Sequence, residues 1–476
     1  MEDGVTQYIS TRGEAPELTF CDVMLTGLAR DGGLYVPQAW PQLPPEAIAG
    51  FFGRPYWEVA VDVIRPFVGG EISDADLGAM ANDAYATFRH PAVVPLRQIG
   101  PHQFVLELFH GPTLAFKDVA MQLISRLMDH VLEQRAQRTT IVVATSGDTG
   151  GAAVDAFAGL ANVDLIVLFP HGRISDVQRR MMTTSTAANI HALAIEGTFD
   201  DCQAIVKGMF NHHSFRDAIS LSGVNSINWA RIVAQVVYYF TSAVALGAPA
   251  RAVDFTVPTG NFGDIFAGFV AKRMGLPVRF LRIAANINDI LPRTLKTGIH
   301  EVREVHATAS PSMDIQVSSN FERLLFDAGR RDAAIVRRLM TQLKQSNRFV
   351  LPDAMLAAIR EEFDAGRADE TETAAAIRAA WREAGDLVDP HTAVALAVAD
   401  RDTSDSRIPN IVLSTAHAAK FPDAVEAACG VRPQLPVWLE GLMTKGEQVR
   451  IMKNDQVEVE RFIKSVSRAA KQGVAG

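Results

Sequence analysis

Five short apolar runs stand out along the chain: Thr140–Ala144 (TIVVA), Leu165–Phe169 (LIVLF), Val253–Val257 (VDFTV), Val278–Ile283 (VRFLRI) and Asn410–Leu413 (NIVL). Each is nearly continuous, is bounded by turn residues, and is separated from the next by segments with helical spacing. Runs of that kind suit parallel strands buried on both faces. They predict an α/β core, an open parallel sheet in two lobes with helices on each side. The first ninety or so residues mix helical patterns with turns such as Asp31-Gly32-Gly33 and Pro44-Pro45, and predict a separate, mainly helical domain over 1–92. The core is then expected over 93–319, with a return over 386–430. Between about Asn320 and Gly385 the strand pattern stops. Segments such as AAIVRRLMTQLKQ and DAMLAAIREEFDAG predict an all-helical insertion over 320–385. Residues 431–476 are charged and helix-prone and predict a C-terminal extension. The most apolar stretch, Ile232 to Ala248, contains Gln235, Tyr238, Tyr239, Thr241 and Ser242. It is short and mixed for a bilayer span and predicts a buried helix.

Charge changes this picture little. The 476 residues carry 46 basic and 54 acidic side chains, a net charge of −8, which argues against a nucleic-acid binder or a membrane-surface protein. An anionic small molecule is still compatible, because it responds to the field of its own pocket. The three cysteines, Cys21, Cys202 and Cys429, are odd in number and far apart, so no disulfide framework is expected. The start, MEDGVTQYIS, lacks a basic region followed by an apolar run. Both features point to a cytoplasmic protein. No H-E-x-x-H occurs, and His212-His213 has no ligand-spaced partner, so no metal site is expected.

Candidate chemistry concentrates in two loops and one lysine. TIVVA runs into Thr145-Ser146-Gly147-Asp148-Thr149-Gly150-Gly151 and then a helix. VDFTV runs into Pro258-Thr259-Gly260-Asn261-Phe262-Gly263-Asp264 and then another. Glycines let backbone approach a ligand closely, and the free amides at a helix start attract anions. One such loop is as readily a plain connection. Two in one sheet favour a ligand with two anionic groups, or a cofactor phosphate plus a substrate carboxylate. Neither loop carries G-x-G-x-x-G or ends in Gly-Lys-Ser/Thr. The stretch Gly111–Lys117 (GPTLAFK) has Walker A spacing only, since Phe116 replaces the required glycine and Asp118 the metal-binding hydroxyl. Lys117 follows this Gly-Pro turn among Leu114, Ala115, Phe116, Val119, Ala120 and Met121. Such a setting lowers a lysine pKa and supplies the neutral amine that a Schiff base with a carbonyl cofactor requires.

At these residues the chain resembles the threonine synthases, members of the tryptophan-synthase-β-like group of pyridoxal-phosphate enzymes (fold type II). The likeness runs through YISTRGEAPELTFCDVMLTGLARDGGLYVP, ELFHGPTLAFKD, VVATSGDTGGAA, VNSINWARIVAQVVYY, VPTGNFGDIFAG and LSTAHAAKFPDAV, and is strongest for HGPTLAFKD together with GNFGD. It resembles the longer type in the family. The resemblance implies that Lys117 carries pyridoxal 5'-phosphate and acts as the catalytic base. It implies that Gly260, Asn261, Phe262 and Gly263 cradle the cofactor phosphate and that the Thr415 hydroxyl faces the pyridine nitrogen. Ser146, Gly147, Asp148 and Thr149 would hold the substrate carboxylate. Lys420, Arg12 and Arg173 are candidates for the substrate phosphate. Similar proteins commonly read HPAKF where this chain has His417-Ala418-Ala419-Lys420-Phe421, so one turn loses the φ constraint of proline. The implied reaction takes O-phospho-L-homoserine and water to L-threonine and phosphate, in a monomer or homodimer. The competing reading releases 2-oxobutyrate, ammonia and phosphate from the same substrate; a threonine or serine dehydratase fits the N-terminal STRG segment less well.

Overall fold

The computed structural model describes residues 5–401 and 407–472. All five expected strands form, within two residues of the expected ends. They lie in two sheets, one per lobe. The first sheet has the order Arg450–Lys453, Ile190–Glu196, Val163–Pro170, Thr139–Ala144, Leu221–Ser222, with every neighbour parallel. The second has the order Phe363–Arg367, Val278–Ala285, Val253–Pro258, Asn410–Ser414, Gln103–Glu107, Leu96–Gln98. It is parallel except for its last pair. Every residue of Thr139–Ala144, Val163–Pro170, Val253–Pro258 and Asn410–Ser414 is buried, as strands covered on both faces require.

Three expectations need correction. The segment 320–385 is not purely helical. Arg348–Val350 pairs with Ile299–Glu301, and Phe363–Arg367 adds to the edge of the second sheet beside Val278–Ala285. Its sequence, FDAGR, sits at an edge with only Phe363 buried, so it lacks the apolar run that marks a central strand. Similarly, residues 431–476 complete the first sheet through Arg450–Lys453. Within the same stretch Leu435, Leu439 and Leu442 pack on Leu114, Val177 and Met181. The N-terminal residues are mainly helical, with short strands Tyr8–Ser10 and Tyr35–Pro37, yet they do not form a separate core. The helix Trp229–Ala245 is the reason. Its fully buried Trp229 meets Tyr8, Trp40 and Phe67 at centroid distances of 6.0, 6.2 and 5.9 Å. Its cap residue Asn228 donates to Met24 O at 2.9 Å. One apolar cluster therefore joins the N-terminal helices to both lobes. Among the described residues no helix is long and apolar enough to cross a membrane.

The Ile299–Glu301 pairing buries His300 flat against Phe349 and Phe321, with centroids at 4.5 and 5.5 Å. Burial, helped by Arg293, pushes its imidazole down to about 4. Between that value and the ordinary 6.5 the unfolded chain binds a proton that the fold excludes. Stability therefore falls as pH drops through this window, by up to about 1.4 kcal/mol per pH unit. His300→Asn is expected to remove that increment. Denaturant unfolding at pH 7 and pH 5 checks this: a loss on acidification as large in the variant as in the unaltered chain rules it out.

Candidate active site

Both glycine loops lie at carboxyl ends of strands, one in each sheet, where open α/β sheets bind ligands. In the first, Thr145 Oγ1 accepts from the amides of Gly147 and Gly150 at 2.9 and 3.0 Å, closing the turn into the helix Asp148–Phe157. Gly147 has φ +139°, and a Cβ there would fall 2.5 Å from the Gln178 side chain. Only glycine fits both demands. Asp148 is thereby set at the first turn, between the part-buried Ser146 and Thr149.

In the second loop, Phe262 takes the left-handed conformation, φ +64°, at the start of the helix Gly263–Arg273. Its ring anchors that strained residue against Phe321 and Phe363, at 5.4 and 5.6 Å. The carbonyls of the loop are drawn to one side. Ser318 Oγ donates to Gly260 O at 2.8 Å, and Asn320 donates to Asn261 O from its backbone and side chain at 3.1 and 3.0 Å. Among the described residues the amides of Gly260, Asn261, Phe262 and Gly263 donate to no protein acceptor. Such a row of free donors at a helix start suits a phosphate. Asp264, next in line, is buried; Tyr238 and Tyr239 hydroxyls both donate to its Oδ1, and its Oδ2 has no partner among the described residues. Burial pushes this carboxyl up to about 6, against the pull of the two tyrosines and Lys117.

Lys117 opens the helix Lys117–Gln134. The Gly-Pro-Thr turn before it is closed by Asp118, whose carboxylate accepts from Thr113 N and Oγ1 at 2.8 and 2.6 Å. This stretch is stitched to the end of the strand Asn410–Ser414. Phe116 N donates to Thr415 O at 2.8 Å, and His417 N donates to Leu114 O at 3.1 Å. Lys117 and Thr415, 298 positions apart in number, thus sit on paired segments. The turn that lacks the usual proline forms nonetheless, as a 3-10 turn at Ala418–Lys420 capped by the His417 side chain, which accepts from Ala419 N.

The amine of Lys117 lies 3.5 Å from Asp148 Oδ2. Asp148 Oδ1 receives the Lys420 ammonium at 2.6 Å and Gln178 Nε2 at 2.9 Å. Lys420, with 0% exposure, also donates to Thr113 O at 2.9 Å. Burial alone would raise the Asp148 carboxyl, but Lys420 and Lys117 outweigh it and hold the group well below the usual carboxylate range. Lys117 is pushed down from the ordinary lysine value by burial; Asp148 opposes this, while Arg231 and Lys420 add to it. A buried amine whose pKa is lowered, in the field of the Asp264 that follows the row of free amides, fits an aldehyde cofactor bearing a phosphate.

The other expected cations are not in this cluster. Arg12 is engaged by Glu322 at 2.9 Å, two residues from the Asn320 that braces the second loop. Arg173 is exposed, in the field of Asp201. Gln178, Asp264, Ser318 and Asn320 were not singled out in the sequence. Asp264 lies within the GNFGD motif and was legible there; the others arrive from distant segments and leave no local signal.

Comparison with known proteins bears on this arrangement. Residues 7–85 match the family described as threonine synthase N terminus, 93–414 that of pyridoxal-phosphate dependent enzymes, and 392–463 the threonine synthase C-terminal family. A threonine synthase from Pseudomonas aeruginosa is 49% identical over 96% of this chain and 98% of its own. The pyridoxal-phosphate-bound crystal structure of threonine synthase from Brucella melitensis is 61% identical. It superposes with a TM-score of 0.95 over 97% of this chain and all of that one. Yeast threonine synthase gives 38% identity and a TM-score of 0.91 over 98% and 99% of the two chains. With a buried lysine, an amide cradle and full-length likeness in agreement, the chain belongs to the pyridoxal-phosphate-dependent threonine synthase family.

Proposed function

We infer that this chain converts O-phospho-L-homoserine and water into L-threonine and inorganic phosphate, with pyridoxal phosphate as cofactor. The observation that carries the reading is the buried Lys117 amine, 3.5 Å from Asp148 of the first glycine loop and in the field of Asp264 at the end of the second. When bound, pyridoxal phosphate supplies an electron sink conjugated to the substrate Cα. Lys117 would hold it, and its amine would take the proton from Cα and serve proton movement at Cβ. The amides of Gly260, Asn261, Phe262 and Gly263 would hold the cofactor phosphate, and the Thr415 hydroxyl would be the partner for the pyridine nitrogen. Ser146, Gly147, Asp148 and Thr149 orient the substrate carboxylate. Of the three candidate cations, Lys420 is the one placed beside Lys117 and is assigned to the leaving phosphate, whose growing charge it stabilises. Arg12 is paired with Glu322, and Arg173 lies apart. We place the reaction in the cytoplasm, in a monomer or homodimer; the three free cysteines and the net charge support a reducing, aqueous compartment.

Incubation of the purified chain with O-phosphohomoserine, following all products, tests this. Threonine and phosphate are expected in equal amounts. Release of 2-oxobutyrate and ammonia as the main products overturns the assignment in favour of a phospho-lyase.

A further inference from the structure

Behind the site lies a buried cluster that the reaction above does not use. Asp389 caps the helix Pro390–Ala399, accepting from the amides of His391 and Thr392 at 2.9 and 3.3 Å and from Thr392 Oγ1. A cap needs no more than this. Yet Asp389 also takes His391 Nδ1 at 2.7 Å, and both side chains are almost fully buried, at 0% and 3% exposure. With the carboxylate on Nδ1–H, Nε2 is left as an acceptor, and Ser312 N donates to it at 3.2 Å.

Ser312 is where the cluster meets the second loop. Its carbonyl oxygen stands 2.5 Å from where a Cβ on Gly260 would lie, so backbone rests directly on backbone. The bond from Ser312 N to His391 therefore sets how far the Ser312 carbonyl presses against Gly260. On its other flank, Thr392 Oγ1 meets Ser414 Oγ at 3.0 Å, one residue before Thr415. The ring of His391 itself is wedged edge-on against Phe421, at 4.9 Å. A buried polar group is costly unless fully paired. Here every partner leads to the back of the site.

We propose that His391, oriented by Asp389, is a positioning residue for the cofactor phosphate: it holds the Ser312 backbone against Gly260 and so fixes the depth of the amide cradle. This rests on the assignment of the cofactor phosphate to Gly260–Gly263. It is independent of the substrate, because His391 touches neither Lys117 nor the first loop.

The test compares pyridoxal phosphate with pyridoxal, which bonds to the same lysine but lacks the phosphate. Full-length chain stripped of cofactor is titrated with each, following the visible absorption of the lysine-bound form, and melting temperatures are recorded. His391→Ala is expected to reduce the preference for the phosphorylated compound on the order of tenfold, the scale of one lost hydrogen bond. His391→Gln keeps an acceptor for Ser312 N and is expected to stay within about threefold of the unaltered chain. Ser312→Pro removes the donor while leaving the Asp389–His391 pair in place, and is expected to match His391→Ala even if that variant folds poorly. Equal weakening toward both compounds, or an unchanged preference in both His391→Ala and Ser312→Pro, overturns the proposal. Gly260→Ala separates it from the reading beneath. If Gly260→Ala destroys the preference and the His391 and Ser312 variants do not, the role of His391 alone is wrong. If Gly260→Ala also leaves the preference intact, the phosphate is not in this cradle and both fall.

Discussion

Lys117→Ala is expected to lower turnover of O-phosphohomoserine by several orders of magnitude while leaving the melting temperature nearly unchanged. In the proposed reaction the amine is both the cofactor's anchor and the proton carrier, and the loss of a residue that acts as part of a unit is far larger than any single contact. The neighbourhood offers no replacement. Lys420 is held by Asp148 and Thr113 O, and Arg231 is buried and engaged by Val224 O. Stability is a separate matter. Burial disfavours the Lys117 charge, so truncation relieves a desolvation cost about as large as the packing it forfeits. Steady-state kinetics and the visible band of cofactor-loaded protein, read together, decide the point. A variant retaining turnover within about tenfold, or retaining the lysine-bound band, removes Lys117 from the mechanism.

The second large effect falls on Asp148, and it is one of stability as well as rate. This carboxylate faces two ammonium groups, at 2.6 Å to Lys420 and 3.5 Å to Lys117. Asp148→Ala leaves both amines buried without a counter-charge, a change that costs about 3–5 kcal/mol. Asp148→Asn keeps an acceptor for Gln178 and is expected to lose less. The pH dependence gives the sign. Without Asp148 the folded-state pKa of Lys117, already lowered by burial, drops further below the ordinary lysine value near 10.4, so the unfolded chain binds more protons and stability rises with pH. The gap between variant and unaltered chain is therefore widest near neutrality and narrows as pH approaches that of free lysine. Denaturant unfolding at pH 7 and pH 9.5 measures it. A loss under about 1 kcal/mol that does not vary with pH shows that Asp148 is not the counter-charge on which the cluster relies.

The two lysines also show how differently residues of one site were legible. Lys117 could be read in the sequence because its turn, its apolar neighbours and its helix start are all within ten residues. Lys420 was read as a cation for the substrate phosphate, but its burial against Asp148 and Thr113 O could not be read, since those partners are about 270 and 307 positions away. Arg12 is visible in the sequence only as a cation within the STRG segment. Its commitment to Glu322 depends on how the N-terminal strands pack against the segment after Ser318.

What the sequence settled by itself was the local grammar: five central strands, two glycine turns entering helices, and a lysine in an apolar helix start. Central strands are rich in apolar residues because both faces are covered, and Gly147 and Gly260 must be glycine because side chain or backbone presses on them. Tertiary structure decided the rest. Phe363–Arg367 and Arg450–Lys453 become strands only because an edge offers them partners, as their half-exposed residues carry no pattern of their own. The pairing of Asp148 with Lys117 and Lys420, and the bracing of the cradle by Ser318, Asn320 and Ser312, arise between segments far apart in the chain. Periodicity reports which face of an element is buried; it says nothing of which distant side chain will meet it there.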